Sequence, residues 1–441
     1  MAGRPRAPAD GGAALIVRRL AAVGLVVLFV LGAGLAVRQT WDVLAPVDAP
    51  TDKERTGLQD FRDTVHHPVR ALWQDGVNPY DHDASLRDHP GQQPFNLYLP
   101  AWLLLTAPFG LLSYDIGKVA WVGVILLGCV ALARAVLVLA AGERRWLPAF
   151  GLAGLLLLTV PGRNLMVLGQ LSVVPACGVV LAATFAHRRP TVAGIGVALA
   201  LLKPQFGVPL VVLLAVGWQA WRALIAGVGI ALLASVVPLG LAVAHAGGPQ
   251  QFVEDISDNA SYSTEAYRDL LAPEENTVRV DAAFAVLLFA GRDNATAIEA
   301  LAGVVVLGAA ALSLRRLAPP RPRDDPLVTV VIALAVLVGI AHIDYEAVLL
   351  LWPLVALLAA SRGSRGLQLG LAALIAVPLL HNFRVDNVLD AIGFSSRAMR
   401  IIDAVALSIA FVVAVATAVR SRSTQADAVP SRMTSSPAAT P

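Results

Sequence analysis

Apolar runs of about twenty residues recur along the whole chain, and they constrain its fold more than any other feature. Each run is long enough to cross the ~30 Å hydrocarbon core of a bilayer as a helix. The chain is 57% hydrophobic and only 15% charged, whereas soluble domains average about 25% charged residues. The sequence therefore predicts an all-α polytopic membrane protein.

The charged residues indicate how the predicted helices are threaded. Arginines fall in short turns between apolar runs, as expected for cytoplasmic loops. The net charge of +3 therefore reflects topology and does not indicate a nucleic-acid partner. This pattern predicts about twelve transmembrane helices, at 20–37, 116–141, 147–163, 171–187, 191–203, 206–218, 222–244, 296–314, 327–341, 345–361, 367–381 and 400–419.

The remaining segments are polar or too short to span. The first outer loop, 38–115, carries acids, histidines and aromatic residues, and its end at 97–114 is a broken apolar run typical of an interfacial helix. Segment 278–291 is similar. We predict one transmembrane domain over 20–420, with disordered cytoplasmic ends at 1–19 and 421–441. Both cysteines fall inside spans, so no disulfide framework is expected.

Under this topology, polar residues near the span ends gather at the outer face. Ionisable groups at such positions are costly and often mark a functional site. Each also has a simpler interpretation, because Asp60 would be an ordinary loop acid and Lys203 a lysine reaching toward water. Similarly, Arg163 and His342 would be ordinary span-end residues, and the pair His66-His67 cannot define a metal site by spacing.

Several segments, taken in order, resemble one known family. They are Asp60-Phe61 followed by VRALWQDGVNPYD, then FNLYLPAWLLLTAPFGLLSY, LGQLSVV, AGIGVALALLKPQFGVPLVVLL and HIDYEAVLLLWPLVALL. Each is weakly specific alone, but together they resemble the actinobacterial membrane enzymes of glycosyltransferase family 87. Members of that family include polyprenyl-phosphomannose-dependent mannosyltransferases and a decaprenyl-phosphoarabinose-dependent arabinofuranosyltransferase.

The resemblance implies a GT-C-like helical bundle and an inverting sugar transfer from a polyprenyl-phosphate donor. It implies that Asp60 is the general base, and that Lys203 and His342 face the donor phosphate. A base deprotonates the acceptor hydroxyl, and cations take up charge on the departing phosphate. We add Arg163 as a further phosphate-binding candidate. The predicted substrate-binding residues are Arg62, Asp63, Tyr80, Gln170, Gln205 and Tyr345.

Two segments depart from the family pattern. Family members often have a tyrosine followed by two prolines where this chain has Tyr98-Leu99-Pro100. A GNQS-like segment after the second outer loop is replaced by Glu275-Asn276-Thr277-Val278. Both lie near the expected acceptor side, so they bear on the identity of the sugar and acceptor more than on the fold.

The expected partners are a polyprenyl-phosphate sugar, a lipid or polysaccharide acceptor and membrane lipids. The sequence has no Walker A loop, dinucleotide-binding turn or HExxH motif, so no cofactor or metal is predicted. We expect a plasma-membrane location with the active site on the extracytoplasmic face. A transporter or flippase of lipid-linked sugars is the alternative, although such proteins commonly show internal repeats that are not evident here. A non-catalytic scaffold would leave the outer polar cluster unexplained.

Overall fold

The computed structural model describes residues 11–44, 56–91, 96, 98–270, 279–290, 295–317, 325–360, 363–380 and 396–427. Within these ranges the regular structure is helical, and the extended pairing consists of two isolated bridges. This confirms the all-α fold class. The departure at 275–278 and most of the predicted outer loop 382–398 lie outside the described residues.

The helices are defined here in chain order. They are α1 Gly11–Asp42, α2 Gln59–Phe61, α3 His67–Arg70, α4 His82–Asp88, α5 Pro100–Gly110, α6 Tyr114–Val136, α7 Trp146–Leu158, α8 Val160–Leu168, α9 Val173–Phe185, α10 Pro190–Leu201, α11 Pro204–Val212, α12 Trp221–His245, α13 Pro249–Leu270, α14 Ala282–Ala290, α15 Ala295–Arg316, α16 Pro326–Gly339, α17 Leu351–Ala359, α18 Arg365–Leu380 and α19 Ser396–Asp427. Wider π-helical turns follow α2, α3, α6 and α11, and a 3₁₀ helix, Asp344–Leu350, precedes α17.

The two ends are more helical than predicted. Helix α1 begins at Gly11, inside the segment predicted as a disordered N-terminus, and α19 continues to Asp427, inside the predicted tail. In the first flank, Ala13, Ala14, Leu15 and Arg18 have high helix propensity, so the first span extends readily into it.

Five helices within the described residues are long and apolar enough to cross a membrane. They are Arg19–Asp42, Tyr114–Ala141, Trp221–His245, Ala295–Arg316 and Ala398–Arg420. The pair α7 and α8 makes a sixth if it is counted as one span, but it bends by 82° between Leu158 and Val160. The structure thus supports a membrane protein, while the count of about twelve spans stays a prediction.

Several predicted spans correspond to shorter helices. Helix α10 has 12 residues, which at 1.5 Å per residue is only about 18 Å. It ends at Leu201, and α11 begins at Pro204, so the helix is interrupted at Lys203 within the LLKPQF segment. The broken apolar run 97–114 forms the 11-residue α5. Its predicted interfacial position stays a prediction.

Small residues let these helices approach closely. A Cβ atom added at Gly178 of α9 would lie 2.5 Å from the carbonyl oxygen of Gly196 in α10. The same closeness occurs between Gly32 of α1 and Gly154 of α7. Such contacts are typical of membrane helix pairs, where packing replaces the hydrophobic effect as the driving force.

In the predicted first outer loop, the stretch from Leu58 to Val69 is held inside the bundle rather than in solvent. The backbone N–H of Leu58 donates to the carbonyl of Val167 at 2.6 Å. The Phe61 ring packs on Trp121 at 5.4 Å, and Trp121 Nε1 donates to the carbonyl of Gly169 at 2.7 Å. The loop therefore docks on the turn that follows α8.

Most polar side chains of this stretch are consequently buried. Arg62 and Asp63 neutralise each other through an ion pair of 2.7 Å between Nε and Oδ1, with both side chains almost fully enclosed. The indole of Trp102 donates to the Thr64 carbonyl at 2.9 Å. Asp60 is only 3% exposed, so the interpretation of it as an ordinary solvated loop acid is wrong.

Three histidines of the loop lie together, with His66 and His67 buried and His89 half-buried. The ring centroids of His66 and His67 are 5.7 Å apart, and those of His67 and His89 are 5.4 Å apart. Burial lowers the pKa of His66 to about 4, with Arg70 adding to the effect. Burial and the neighbouring His66 lower the pKa of His67 to about 3. Both rings are therefore neutral at physiological pH.

Replacing Gly169 tests how the loop is anchored. Gly169 has φ +78°, and an added Cβ would lie 3.2 Å from both Leu58 and Phe61. We expect Gly169→Ala to destabilise the protein by about 1–2 kcal/mol, because a left-handed residue with a Cβ carries that cost. Thermal unfolding in detergent measures it. Gly308→Ala in α15 is the control, because a Cβ added there has no neighbouring atom within 4 Å. Equal losses of stability in both variants would contradict the anchoring role.

Acidification tests the histidine group. The pKa values of His66 and His67 lie below the ordinary 6.5, so folding favours their neutral forms. Their contribution is fully present above about pH 6.5 and is lost as the pH falls toward 4. We expect the melting temperature to fall over this window, and His66→Phe, which keeps a ring without a titrating group, to reduce the fall. The exposed His187→Gln is the control; an unchanged pH profile in His66→Phe would refute the assignment.

Candidate functional site

Gln170 lies at the centre of a buried polar cluster. Helix α8 ends at Leu168, and the left-handed Gly169 turns the chain so that Gln170 points toward the first outer loop. Its side-chain Nε2 donates to Asp60 Oδ2. Its Oε1 accepts from the Tyr98 hydroxyl at 3.2 Å and from Lys203 Nζ at 3.5 Å. One amide thus connects a carboxylate with an ammonium group.

Lys203 lies at the break between α10 and α11. Its backbone is extended, with φ −118° and ψ 105°, and Pro204 begins the next helix. Besides Gln170, its ammonium contacts the Ser172 hydroxyl at 3.1 Å and forms an ion pair with Glu346 Oε1. It also lies 4.7 Å from the centre of the Tyr345 ring, a cation–π contact.

Glu346 and His342 complete the cluster from the other side. Glu346 belongs to the 3₁₀ helix Asp344–Leu350, and its Oε2 accepts from the Ile343 N–H at 3.1 Å. His342 Nδ1 lies 2.9 Å from the Ile340 carbonyl. Because that carbonyl only accepts, Nδ1 carries the proton, and Nε2 faces Glu346 Oε2 at 3.8 Å. His342 is completely buried, against Phe206.

The contacts therefore form one continuous series from the first outer loop to the end of α16. Its members come from four distant parts of the sequence, and each is at most 6% exposed: Asp60, Gln170, Lys203, Glu346 and His342. Buried charges of this kind require partners, and every member has a polar neighbour in the series. Such a cluster is able to provide a base and a cation in one enclosed site.

A second buried network supports the 3₁₀ helix. Asp344 Oδ2 accepts from Asn164 Nδ2 at 2.8 Å and pairs with Arg400 of α19 at 3.3 Å. Arg400 also pairs with Asp403 at 3.0 Å. This network ties α8 and the last helix to the segment that carries Tyr345 and Glu346.

The remaining predicted residues lie around the cluster with different contacts. Tyr80 is buried against Phe252, and its hydroxyl donates to the Tyr98 carbonyl at 3.0 Å, while burial raises its pKa. Gln205 makes no side-chain hydrogen bond within the described part of the chain. Arg163 lies half-buried on α8, directly before Asn164.

The sequence did not identify several members of the site. Tyr98 was noted only as part of a departure from the family pattern, yet its ring stacks on Trp102 at 4.7 Å and its hydroxyl reaches Gln170. Glu346 lies in the quoted segment HIDYEAVLLLWPLVALL but had no assigned role. Ser172 and Arg400 gave no signal, because a serine or arginine near a span end is common.

A metal centre has no support among the described residues, where no group of three or more histidine, cysteine, aspartate or glutamate side chains is arranged to hold an ion. The histidine group of the first outer loop is included in this finding. The lowered pKa values of His66 and His67 fit buried neutral rings.

Comparison with known proteins supports one family. Searches among curated proteins and among solved structures give no match. The family model of glycosyltransferase family 87 matches residues 96–341, which is more than half of the chain. This match confirms the predicted family and indicates a membrane glycosyltransferase, and we conclude that the chain belongs to glycosyltransferase family 87.

Proposed function

We propose that the protein transfers a sugar, mannose or arabinofuranose, from a polyprenyl-phosphate donor to a lipid or cell-envelope glycan acceptor. The reaction takes place at the extracytoplasmic face of the plasma membrane and inverts the anomeric carbon. The observation that carries this proposal is the connection of Asp60 to Lys203 through Gln170. It holds one carboxylate and one ammonium group in a single buried site.

In the proposed reaction, the carboxylate of Asp60 takes the proton of the acceptor hydroxyl. The acceptor oxygen bonds to the anomeric carbon as the bond between that carbon and the phosphate oxygen breaks. The electron pair of the broken bond stays on the departing polyprenyl phosphate, which gains one negative charge. Lys203 and His342 stabilise this charge, and Asp60 later releases its proton to solvent.

The glutamine has a definite place in this scheme. Gln170 contacts both Asp60 and Lys203, and Lys203 pairs at the same time with Glu346. An amide does not titrate, and it donates with one end and accepts with the other. Gln170 therefore orients the Asp60 carboxylate and the Lys203 ammonium toward one site without changing its own charge.

The other candidates support this arrangement to different degrees. The Tyr345 ring lies under the Lys203 ammonium, which favours a role in placing that cation. The Arg62–Asp63 pair lies two and three residues along the chain from Asp60 and stiffens the same buried stretch. Substrate binding by Arg62, Asp63, Tyr80 and Gln205, and phosphate binding by Arg163, stay predictions.

Asp60→Asn tests the general base. Asparagine keeps the shape and still accepts from Gln170, but it takes up no proton. We expect sugar transfer from a radiolabelled polyprenyl-phosphate donor, with native membranes as the acceptor source, to fall by about 10²- to 10⁴-fold. Asp83→Asn, at an exposed acid of the same loop, is the control and should keep full activity. Retained activity in a correctly inserted Asp60→Asn protein would refute the catalytic assignment.

Cysteine labelling tests the proposed sidedness. The buried side chain of Asp63 is unsuitable for a label, whereas Asp83 and Arg188 are exposed. In a background without Cys129 and Cys177, we expect a cysteine at position 83 to react with an impermeant maleimide in intact cells. A cysteine at position 188 should react only after permeabilisation. The reverse pattern would place the site on the cytoplasmic face.

A further inference from the structure

The carboxylate of Glu346 occupies the position at which an anionic ligand of Lys203 would bind. Its Oε1 forms the ion pair with the ammonium, while its Oε2 is held by the Ile343 N–H and faces His342 Nε2. The ammonium of Lys203 and the imidazole of His342, to which the proposed function assigns the donor phosphate, are thus gathered around one internal carboxylate. Glu346 is itself 2% exposed, so water does not compete for these contacts.

The lysine has no spare donor in this arrangement. An ammonium group donates three hydrogen bonds, and Lys203 directs its contacts to Glu346, Ser172 and Gln170. A phosphate that binds Lys203 must therefore replace one of them. Replacing the carboxylate is favoured by charge, because a phosphate beside Glu346 would place two anions against one cation in a poorly screened site.

We propose that Glu346 is an internal anion that the donor phosphate displaces from Lys203, so that this residue sets donor affinity. Glu346 is a positioning residue in this scheme, since it acts through Lys203. The Ile343 N–H gives the displaced carboxylate a place to remain, because it holds Oε2 independently of the lysine. Before donor binds, the same ion pair keeps the Lys203 charge from being buried alone. This inference rests on the proposed phosphate role of Lys203.

Binding of a polyprenyl monophosphate to the purified full-length protein in detergent tests the exchange. The free polyprenol, which lacks the phosphate, and inorganic phosphate, which lacks the lipid, are the comparison ligands. We expect Glu346→Gln to bind the phosphorylated lipid about tenfold tighter than the native protein, which corresponds to about 1.4 kcal/mol. Affinity for the polyprenol should not change. Inorganic phosphate should show the same gain if the headgroup alone makes the exchange.

Two further variants show whether the gain acts through the lysine. In Lys203→Met and in Lys203→Met/Glu346→Gln, we expect weak binding with no difference between the two. Glu254→Gln removes the same charge from the exposed face of α13 and should leave affinity unchanged. If Glu346→Gln does not fold because Lys203 is left unpaired, Glu346→Asp keeps the charge but withdraws it by one methylene, and tighter binding is again expected.

The outcomes separate this inference from the proposed function. If Glu346→Gln binds the phosphorylated lipid no more tightly than the native protein, the exchange is overturned. The same result in Glu346→Asp has the same meaning if that variant has to be used instead. The proposed function would still stand after that result, provided that the native protein prefers the phosphorylated lipid to the polyprenol and transfers sugar. A gain that persists without Lys203 would also overturn the exchange. If no variant prefers the phosphorylated lipid to the polyprenol, both the exchange and the proposed donor fail.

Discussion

The buried ion pair between Lys203 and Glu346 is the interaction around which the site is arranged. Taking a charge out of water is costly, and removing one partner of a buried pair commonly costs about 3–5 kcal/mol. The ammonium therefore needs Glu346, Ser172 and Gln170 together. Gln170 and Ser172 follow the end of α8, and Glu346 lies in the 3₁₀ helix before α17, so neutralising one lysine brings the ends of several helices together.

The broken helices make this gathering possible. A continuous helix satisfies its own backbone and presents side chains only along its flanks, whereas a helix end points side chains and backbone groups into the space beyond it. Lys203 lies between α10 and α11, Gln170 follows the end of α8, and Glu346 lies in the 3₁₀ helix before α17. In a membrane protein, irregular backbone of this kind is tolerated where other protein segments enclose it. The short helices are thus a condition of the site.

The sequence predicted those features of the structure that depend on neighbouring residues alone. Repeated apolar runs predicted an all-helical membrane protein, and Pro204 predicted the break at Lys203. The burial of Asp60 was not evident, because an acid in a polar stretch looks solvated until its long-range partners are known. Its contact with Gln170, 110 positions away, depends on how the loop docks against Trp121 and Gly169. Likewise, no local pattern joins Glu346 to Lys203. Tertiary contacts decided these points.

The family match covers only some of the residues of the buried cluster. The match covers residues 96–341, which includes Gln170 and Lys203 but not Asp60, His342 or Glu346. The structure brings Asp60 against Gln170 and Glu346 against Lys203, and His342 faces Glu346. Arg400 of α19 supports them through Asp344, from still further along the chain. A carboxylate before the matched region and a cation within it therefore belong to one buried unit. The chemistry of the site depends on contacts between its parts, because neither charge would be stable in the bundle without the residues that the other segments supply.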